Sequence, residues 1–299
     1  MKILSEQDVR SLLTMDELIP AMASALADLS NNKSIQPVRT IVPVSDHHGF
    51  LGVMPAYNGA LGAKLVTFYP ENKGIHTHNG VILLFRPETG EPIAMMDGRL
   101  ITEMRTAAVS AVATDLLARH DVKTLAIIGS GVQAQSHLEA LRIVREFSEV
   151  RVWSPRNARA FADQHSITAS PTAEEAVRSA DVVVVATSAQ QPVLFGKWIS
   201  PGTHINAIGA NRPTWRELDN DVLTMSKIYV ESRESALVES GDLIAAGEIF
   251  AEIGEVVSRK MPARQTDDEV TLFKSLGTAV EDIAAADLVY QKATKLAAD

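Results

Sequence analysis

Apolar positions change their spacing twice along the chain. Over residues 15–29 they recur at the helical interval, and Ser5 and Thr14 stand as N-caps, Thr14 with Glu17 as a capping box. From Ile35 to about Met96 the spacing shortens to β-type runs at 38–44, 50–55, 63–69, 81–85 and 93–96. His48-Gly49, Asn58-Gly59, Lys73-Gly74 and Thr89-Gly90 supply turn chemistry between them, so an antiparallel or mixed sheet is expected. An Ala-rich helix over 101–119, opened by Thr102 and Glu103, follows.

After the polar step His120-Asp121-Val122-Lys123 the pattern changes. Aliphatic runs at 124–128, 150–153, 181–186, 204–208 and 228–230 alternate with helical stretches over 132–147 and from Asn157. Such alternation predicts a parallel sheet covered on both faces. Residues 271–298 predict one long helix containing Gly277, packed back on the first domain. The fold class is therefore α/β, with a Rossmann-type parallel-sheet domain at 121–270 and an α+β domain at 1–120 completed by 271–299.

Composition narrows the functional classes. The 299 residues are 46% hydrophobic and 22% charged, the profile of an ordinary folded protein long enough for two domains. The absence of cysteine excludes disulfides, thiolate metal sites, a Cys nucleophile and iron–sulfur ligation. A net charge of −9 argues against nucleic-acid or anionic-membrane binding, though it permits local cationic pockets. The opening residues turn polar within Met1-Lys2-Ile3-Leu4-Ser5, and the aliphatic run at 182–186 is far short of the ~20 residues of a membrane span. A cytoplasmic protein that neither binds nor crosses a membrane is expected.

The chemistry-bearing motif is Gly129-Ser130-Gly131-Val132-Gln133-Ala134, a G-x-G-x-x-A set between a strand and an amphipathic helix. The first glycine suits a tight turn, the second lets a pyrophosphate approach the backbone, and Ala134 permits close helix–strand packing. The helix N-terminus then offers amides to the phosphates. At the end of the next strand, where an NAD site places a carboxylate against the ribose, this chain reads Ser154-Pro155-Arg156-Asn157. Ser154, Arg156 and Arg159 suit a 2′-phosphate instead, so NADP(H) is expected over NAD(H). Thr187, just past the 181–186 run, joins the candidate cofactor residues. Three cations, Arg39, Lys64 and Arg105, lie in apolar surroundings in the first half. A cation there needs an anion, and a substrate carboxylate would serve.

The chain resembles the ornithine cyclodeaminase/mu-crystallin family. The resemblance rests on Gln36-Pro37-Val38-Arg39-Thr40, Gly52-Val53-Met54-Pro55-Ala56-Tyr57, Lys64-Leu65-Val66-Thr67-Phe68-Tyr69, Arg105-Thr106-Ala107-Ala108, the 129–134 fingerprint, Gly209-Ala210-Asn211 and Phe273-Lys274-Ser275-Leu276-Gly277. It implies a homodimer, a substrate-binding and dimerisation domain made from the N-terminal half and the last helix, and carboxylate binding by Arg39, Lys64 and Arg105. It also implies Thr106 near the pyrophosphate. Lys64 and Arg105 are the candidate catalytic residues, and Asn211 joins the substrate set.

Cyclodeaminases of the family carry an Asp where this chain has Asn211, and a carboxylate on the strand where it has Val53-Met54. Both departures point to the mu-crystallin side, whose members resemble NADPH-dependent ketimine reductases. Reduction of Δ1-pyrroline-2-carboxylate or Δ1-piperideine-2-carboxylate to proline or pipecolate is thus expected, with Lys64 or water as the source of the imine proton. Ornithine cyclodeaminase, alanine dehydrogenase and a non-catalytic NADPH-dependent binding protein stand as alternatives.

Other features have plainer explanations. His76 and His78 lack a third ligand and fit a pocket-lining loop better than a zinc site, so no metal is expected. His47-His48 suits a hairpin tip, Asp267-Asp268-Glu269 a helix start, and Asp242 a turn or cap.

Overall fold

Strands that bury one face alternate dry and wet positions, and the inner strands of the first third of the chain do so. In this computed structural model, which describes residues 1–246 and 248–296, the strands are β1 (Lys2–Leu4), β2 (Thr40–Val44), β3 (Gly49–Tyr57), β4 (Leu61–Phe68), β5 (His78–Phe85) and β6 (Pro92–Asp97). They form one sheet in the order β1-β6-β5-β4-β3-β2, parallel between β1 and β6 and antiparallel elsewhere. Met54, Ala56, Gly62, Lys64, Ile82, Leu84, Ala94 and Met96 make the buried face. Helix Ala279–Lys295 covers it so closely that a Cβ on Gly62 would strike Ile283. Helix Met15–Ser30, with Leu18, Met22 and Leu26 fully buried, packs on Ala279–Lys295. On the opposite face Val53, Leu65 and Val81 line up across three strands, beside the row Pro55, Ala63, Leu83 and Met95, all half-exposed. The sheet ends at β2, which includes Pro43.

The second sheet contains β7 (Thr124–Ile128), β8 (Glu149–Trp153), β9 (Thr168–Ala169), β10 (Val182–Val185), β11 (His204–Ala207), β12 (Ser226–Val230), β13 (Ala251–Glu252) and β14 (Val270–Lys274). Their order is β13-β12-β14-β11-β10-β7-β8-β9, and every neighbouring pair is parallel. Strands covered on both faces read as unbroken apolar runs, and the four valines of β10 are all fully buried. The chain leaves β7 for β8 and β9, then returns to the other side of β7 for β10. The strand order reverses there, and in open parallel sheets the crevice at such a reversal, outside the strands' C-terminal ends, is where ligands bind.

Two compact units result: Met1–Arg105 with the segment from Gly277, and Thr106–Leu276. The chain crosses between them inside helix Gly98–Leu117, whereas the sequence pattern changes only near His120. The expected helix over 271–298 is overturned in its first part. Val270–Lys274 is β14, wholly buried between β11 and β12, and Gly277 at φ 76° breaks the chain before the helix begins at Ala279. A short apolar run buried on all sides has no period that separates strand from helix. Residues 297–299 of that segment lie outside the described residues. Asp267 and Asp268 form a turn rather than a helix start, and the helix expected over 132–147 ends at Val144. Ser5 caps its helix in a capping box with Asp8, whereas the Thr14 hydroxyl donates to Glu17 and makes no cap bond. No helix among the described residues is long and apolar enough to cross a membrane.

In the second unit, His137 on helix Val132–Val144 is buried. Its Nδ1 donates to the Gln133 carbonyl at 2.7 Å, and its Nε2 accepts from Ser110 Oγ at 2.9 Å. Burial pushes the imidazole down from 6.5 to about 4. In that window the unfolded chain takes a proton that the folded one refuses, so stability held above pH 6.5 drains away as pH falls towards 4. His137→Gln is expected to flatten this acid limb by up to ~1.4 kcal/mol per pH unit in urea unfolding; an unchanged limb would refute the account.

Candidate functional site

In the first unit the three cations that stand apart in sequence converge near the start of helix Ala279–Lys295. Lys64 on β4 lies between Met54 of β3 and Ile82 of β5 in the strand register, so its stem runs through an apolar row. Its Nζ is 2.6 Å from Asp282 Oδ2 and donates to Thr102 Oγ1 at 3.3 Å. Arg105 lies well inside its helix rather than at the start. Its Nε donates to Asp282 Oδ1 at 2.9 Å and its Nη1 to Glu281 Oε2 at 2.7 Å. Arg39 immediately precedes β2 and donates from Nη2 to the Gly277 carbonyl at 2.8 Å. A Cβ on Gly277 would run into the Arg105 guanidinium, which accounts for glycine there.

Lys64 and Arg105 are therefore held by protein carboxylates, and Arg39 by a backbone carbonyl, rather than waiting bare for a ligand. Asp282, fully buried, bridges Lys64 and Arg105. Burial is the main cause that pushes Lys64 down to about 8; Arg105 and Arg39 add to it and Asp282 opposes it. The named groups carry three positive and two negative charges. Sequence reasoning missed Glu281 and Asp282 because the helix expected over 271–298 places them in its interior, where nothing local marks them as facing cations.

In the second unit, the Gly129–Ala134 fingerprint joins β7 to helix Val132–Val144, as expected. Gly129 has φ 122°, and a Cβ there would strike the Ala186 carbonyl, because the ends of β7 and β10 approach closely at the reversal. A Cβ on Gly131 would meet nothing within 4 Å, and Gly131 caps the helix with no side-chain bond to its first-turn amides. Open space above bare amides at a helix N-terminus fits a dinucleotide pyrophosphate. Val132 is exposed and Ala134 buried, which matches a motif that faces a ligand and packs on the strand.

Ser154 Oγ lies 2.8 Å from Ser130 Oγ and accepts from the Asn157 amide at 3.2 Å. Arg156 is exposed and has no ion-pair partner among the described residues, whereas Arg159 pairs with Asp163 at 3.1 Å. Thr106 is buried in helix Gly98–Leu117. Thr187 is tied down from both sides: its amide and hydroxyl donate to Glu217 Oε1 at 3.1 and 2.7 Å, and its oxygen accepts from the Ala189 amide. Asn211 is exposed beyond Ala210, a non-glycine at φ 50°.

Asp242 is no simple turn or cap residue. Fully buried, it accepts from the Glu217 and Leu218 amides and lies 3.5 Å from Lys274 Nζ. Burial first, with Asp242 adding, pushes Glu217 up to about 7 against the pull of Lys274 and Thr187. His76 lines an open depression of about 500 Å³ with Gly74, Ile75 and Asn79, while the His78 ring lies 4.4 Å from that of Phe68. Among the described residues no group of three or more His, Asp and Glu is placed to hold a metal ion.

A model of the ornithine cyclodeaminase/mu-crystallin family matches residues 1–296. The ketimine reductase mu-crystallin of Mus musculus is 48% identical over 301 residues, 96% of each chain. The solved Thermococcus litoralis Δ1-pyrroline-2-carboxylate reductase, in complex with NADH and L-proline, is 42% identical with a TM-score of 0.95, covering 99% of this chain and 98% of its own. An archaeal alanine dehydrogenase dimer with bound NAD is 36% identical with a TM-score of 0.94, covering 99% and 97%. Matched along almost its whole length in both sequence and fold, the chain belongs to the ornithine cyclodeaminase/mu-crystallin family.

Proposed function

We propose that this protein reduces cyclic ketimine carboxylates, such as Δ1-pyrroline-2-carboxylate and Δ1-piperideine-2-carboxylate, to proline and pipecolate, with NADPH preferred over NADH. The observation that carries the proposal is the convergence of Arg39, Lys64 and Arg105, three cations brought to one place where they suit a substrate carboxylate. A reduced nicotinamide supplies the hydride that the imine carbon accepts. The chain's task is to hold the substrate: the three cations clamp its carboxylate, and the rigid Asp282 bridge fixes the clamp beforehand, which removes orientational entropy from the barrier. Lys64, brought down to about 8, keeps its proton at neutral pH yet yields it more readily than an ordinary lysine, so it suits donation to the imine nitrogen.

Met54, buried directly across the strand pair from Lys64, and Asn211 leave these two positions without the carboxylates that a diamino-acid substrate would require. With NADPH and either imine, turnover is expected, and Arg39→Ala is expected to raise the imine KM about tenfold or more, as for loss of a charged hydrogen bond. A protein that turns over neither imine, but aminates pyruvate or releases ammonia from ornithine, would have another activity.

The NADPH preference lies in this chain's own residues, whereas the Thermococcus litoralis relative is solved with NADH. Ser154 and Arg156, the latter without an ion-pair partner among the described residues, follow β8, the region where a ribose carboxylate would exclude a 2′-phosphate. Arg156→Ala is expected to weaken NADPH binding about tenfold and leave NADH binding nearly unchanged in fluorescence titrations; equal effects on both would remove the preference.

The half-exposed apolar rows of the first sheet suit a second copy of the chain, as a homodimer, and an archaeal relative is described as a dimer. Sedimentation is expected to give twice the chain mass for the wild type and a monomer for Leu65→Asp. A dimeric Leu65→Asp would move the interface elsewhere.

A further inference from the structure

The second unit buries a charge cluster that the proposed reaction does not call on. Lys274 at the end of β14, Glu217, and Asp242 at the start of helix Gly241–Ala246 are all fully buried. Lys274 Nζ is 3.8 Å from Glu217 Oε2 and 3.5 Å from Asp242 Oδ2, and it donates to the Gly209 carbonyl. Asp242 Oδ1 accepts from the Glu217 and Leu218 amides at 3.1 and 3.2 Å, and Arg216 Nε is 3.8 Å away. Two carboxylates around one ammonium make a poor stabilising device, because well-packed apolar side chains of similar size are often as stable or more so.

What the cluster does grip is specific. Glu217 holds the amide and hydroxyl of Thr187, just past β10, and Lys274 holds Gly209, just past β11. The two loops are pressed together: a Cβ on Gly209 would strike both the Thr187 carbonyl and the Glu217 carboxylate. The next residue, Ala210, sits at φ 50°, a conformation that costs a non-glycine residue energy and persists only where its surroundings impose it. Both loops leave the C-terminal ends of adjacent parallel strands, beside the strand-order reversal where Gly129 meets Ala186.

We propose that Glu217, Lys274 and Asp242 form a buried clip that fixes loops 187–189 and 209–211 along the nucleotide crevice, making Glu217 a positioning residue for dinucleotide binding. The inference rests on the crevice being a nicotinamide-dinucleotide site. It also gives Thr187 a different part from a direct polar contact, because its hydroxyl is already committed to Glu217 and Ala189.

The test is NADPH and NADH binding by fluorescence titration, with melting temperature recorded alongside. Glu217→Ala leaves the Thr187 amide and hydroxyl without their acceptor and is expected to weaken binding about tenfold or more, with the cofactor KM rising further than kcat falls. Glu217→Gln keeps a carbonyl acceptor and is expected to restore binding to within about threefold. Thr187→Val, which removes the same bond from the other side, is expected to weaken binding about fivefold. Dissociation constants for Glu217→Ala and Thr187→Val equal to the wild type, with or without a lower melting temperature, would overturn the proposal, as would a Gln variant no better than Ala. If Glu217→Ala does not fold, Thr187→Val decides alone. A wild type that binds neither nucleotide would overturn the dinucleotide reading and the clip together, whereas normal wild-type binding with indifferent variants removes the clip only.

Discussion

Asp282 holds Lys64 with one oxygen and Arg105 with the other, and the first unit is organised around that bridge. An ammonium placed among Met54 and Ile82 would not stay charged and ordered without a carboxylate at hand. The carboxylate in turn needs helix Ala279–Lys295 seated on the buried face of the sheet, and that seating needs Gly62 beneath Ile283 and Gly277 beneath the Arg105 guanidinium. Packing and electrostatics are thus one problem: a displaced helix would pull two buried acids, Glu281 and Asp282, away from two buried cations, at several kcal/mol.

The second unit rests on a different constraint, the close approach of strand ends where the order of a parallel sheet reverses. Gly129 is squeezed against the Ala186 carbonyl while Gly131 opens onto free space, so one short loop combines tight backbone contact with an exposed row of amides. Thr187, Gly209 and the strained Ala210 belong to the neighbouring strand ends. Backbone shape there is set by charges beneath the loops rather than by the loops' own residues.

Local features were the ones legible in sequence. The 129–134 fingerprint, the β3 to β6 runs and the glycine turns depend on residues a few positions apart, and they stand where the spacing puts them. The family, too, was readable from short motifs spread over the chain. The acids that complete each cluster were not, because Asp282 meets Arg105 across 177 positions and a carboxylate on a helix looks the same whether it faces water or a guanidinium. Asp242 beside Gly241 looked like a turn for the same reason. β14 was misread because Val270-Thr271-Leu272-Phe273 is apolar on both faces, and only its neighbours β11 and β12 decide that it is extended.

The outer strand of the first sheet has a consequence for solubility. A sheet edge presents free amides and carbonyls that invite another chain to add a strand and continue indefinitely. β2 is such an edge, with Ile41 and Val42 exposed, but Pro43 within it has no amide hydrogen to offer. A growing fibril would meet a missing rung there. Addition of a further strand at this edge is therefore opposed by the sequence of β2 itself.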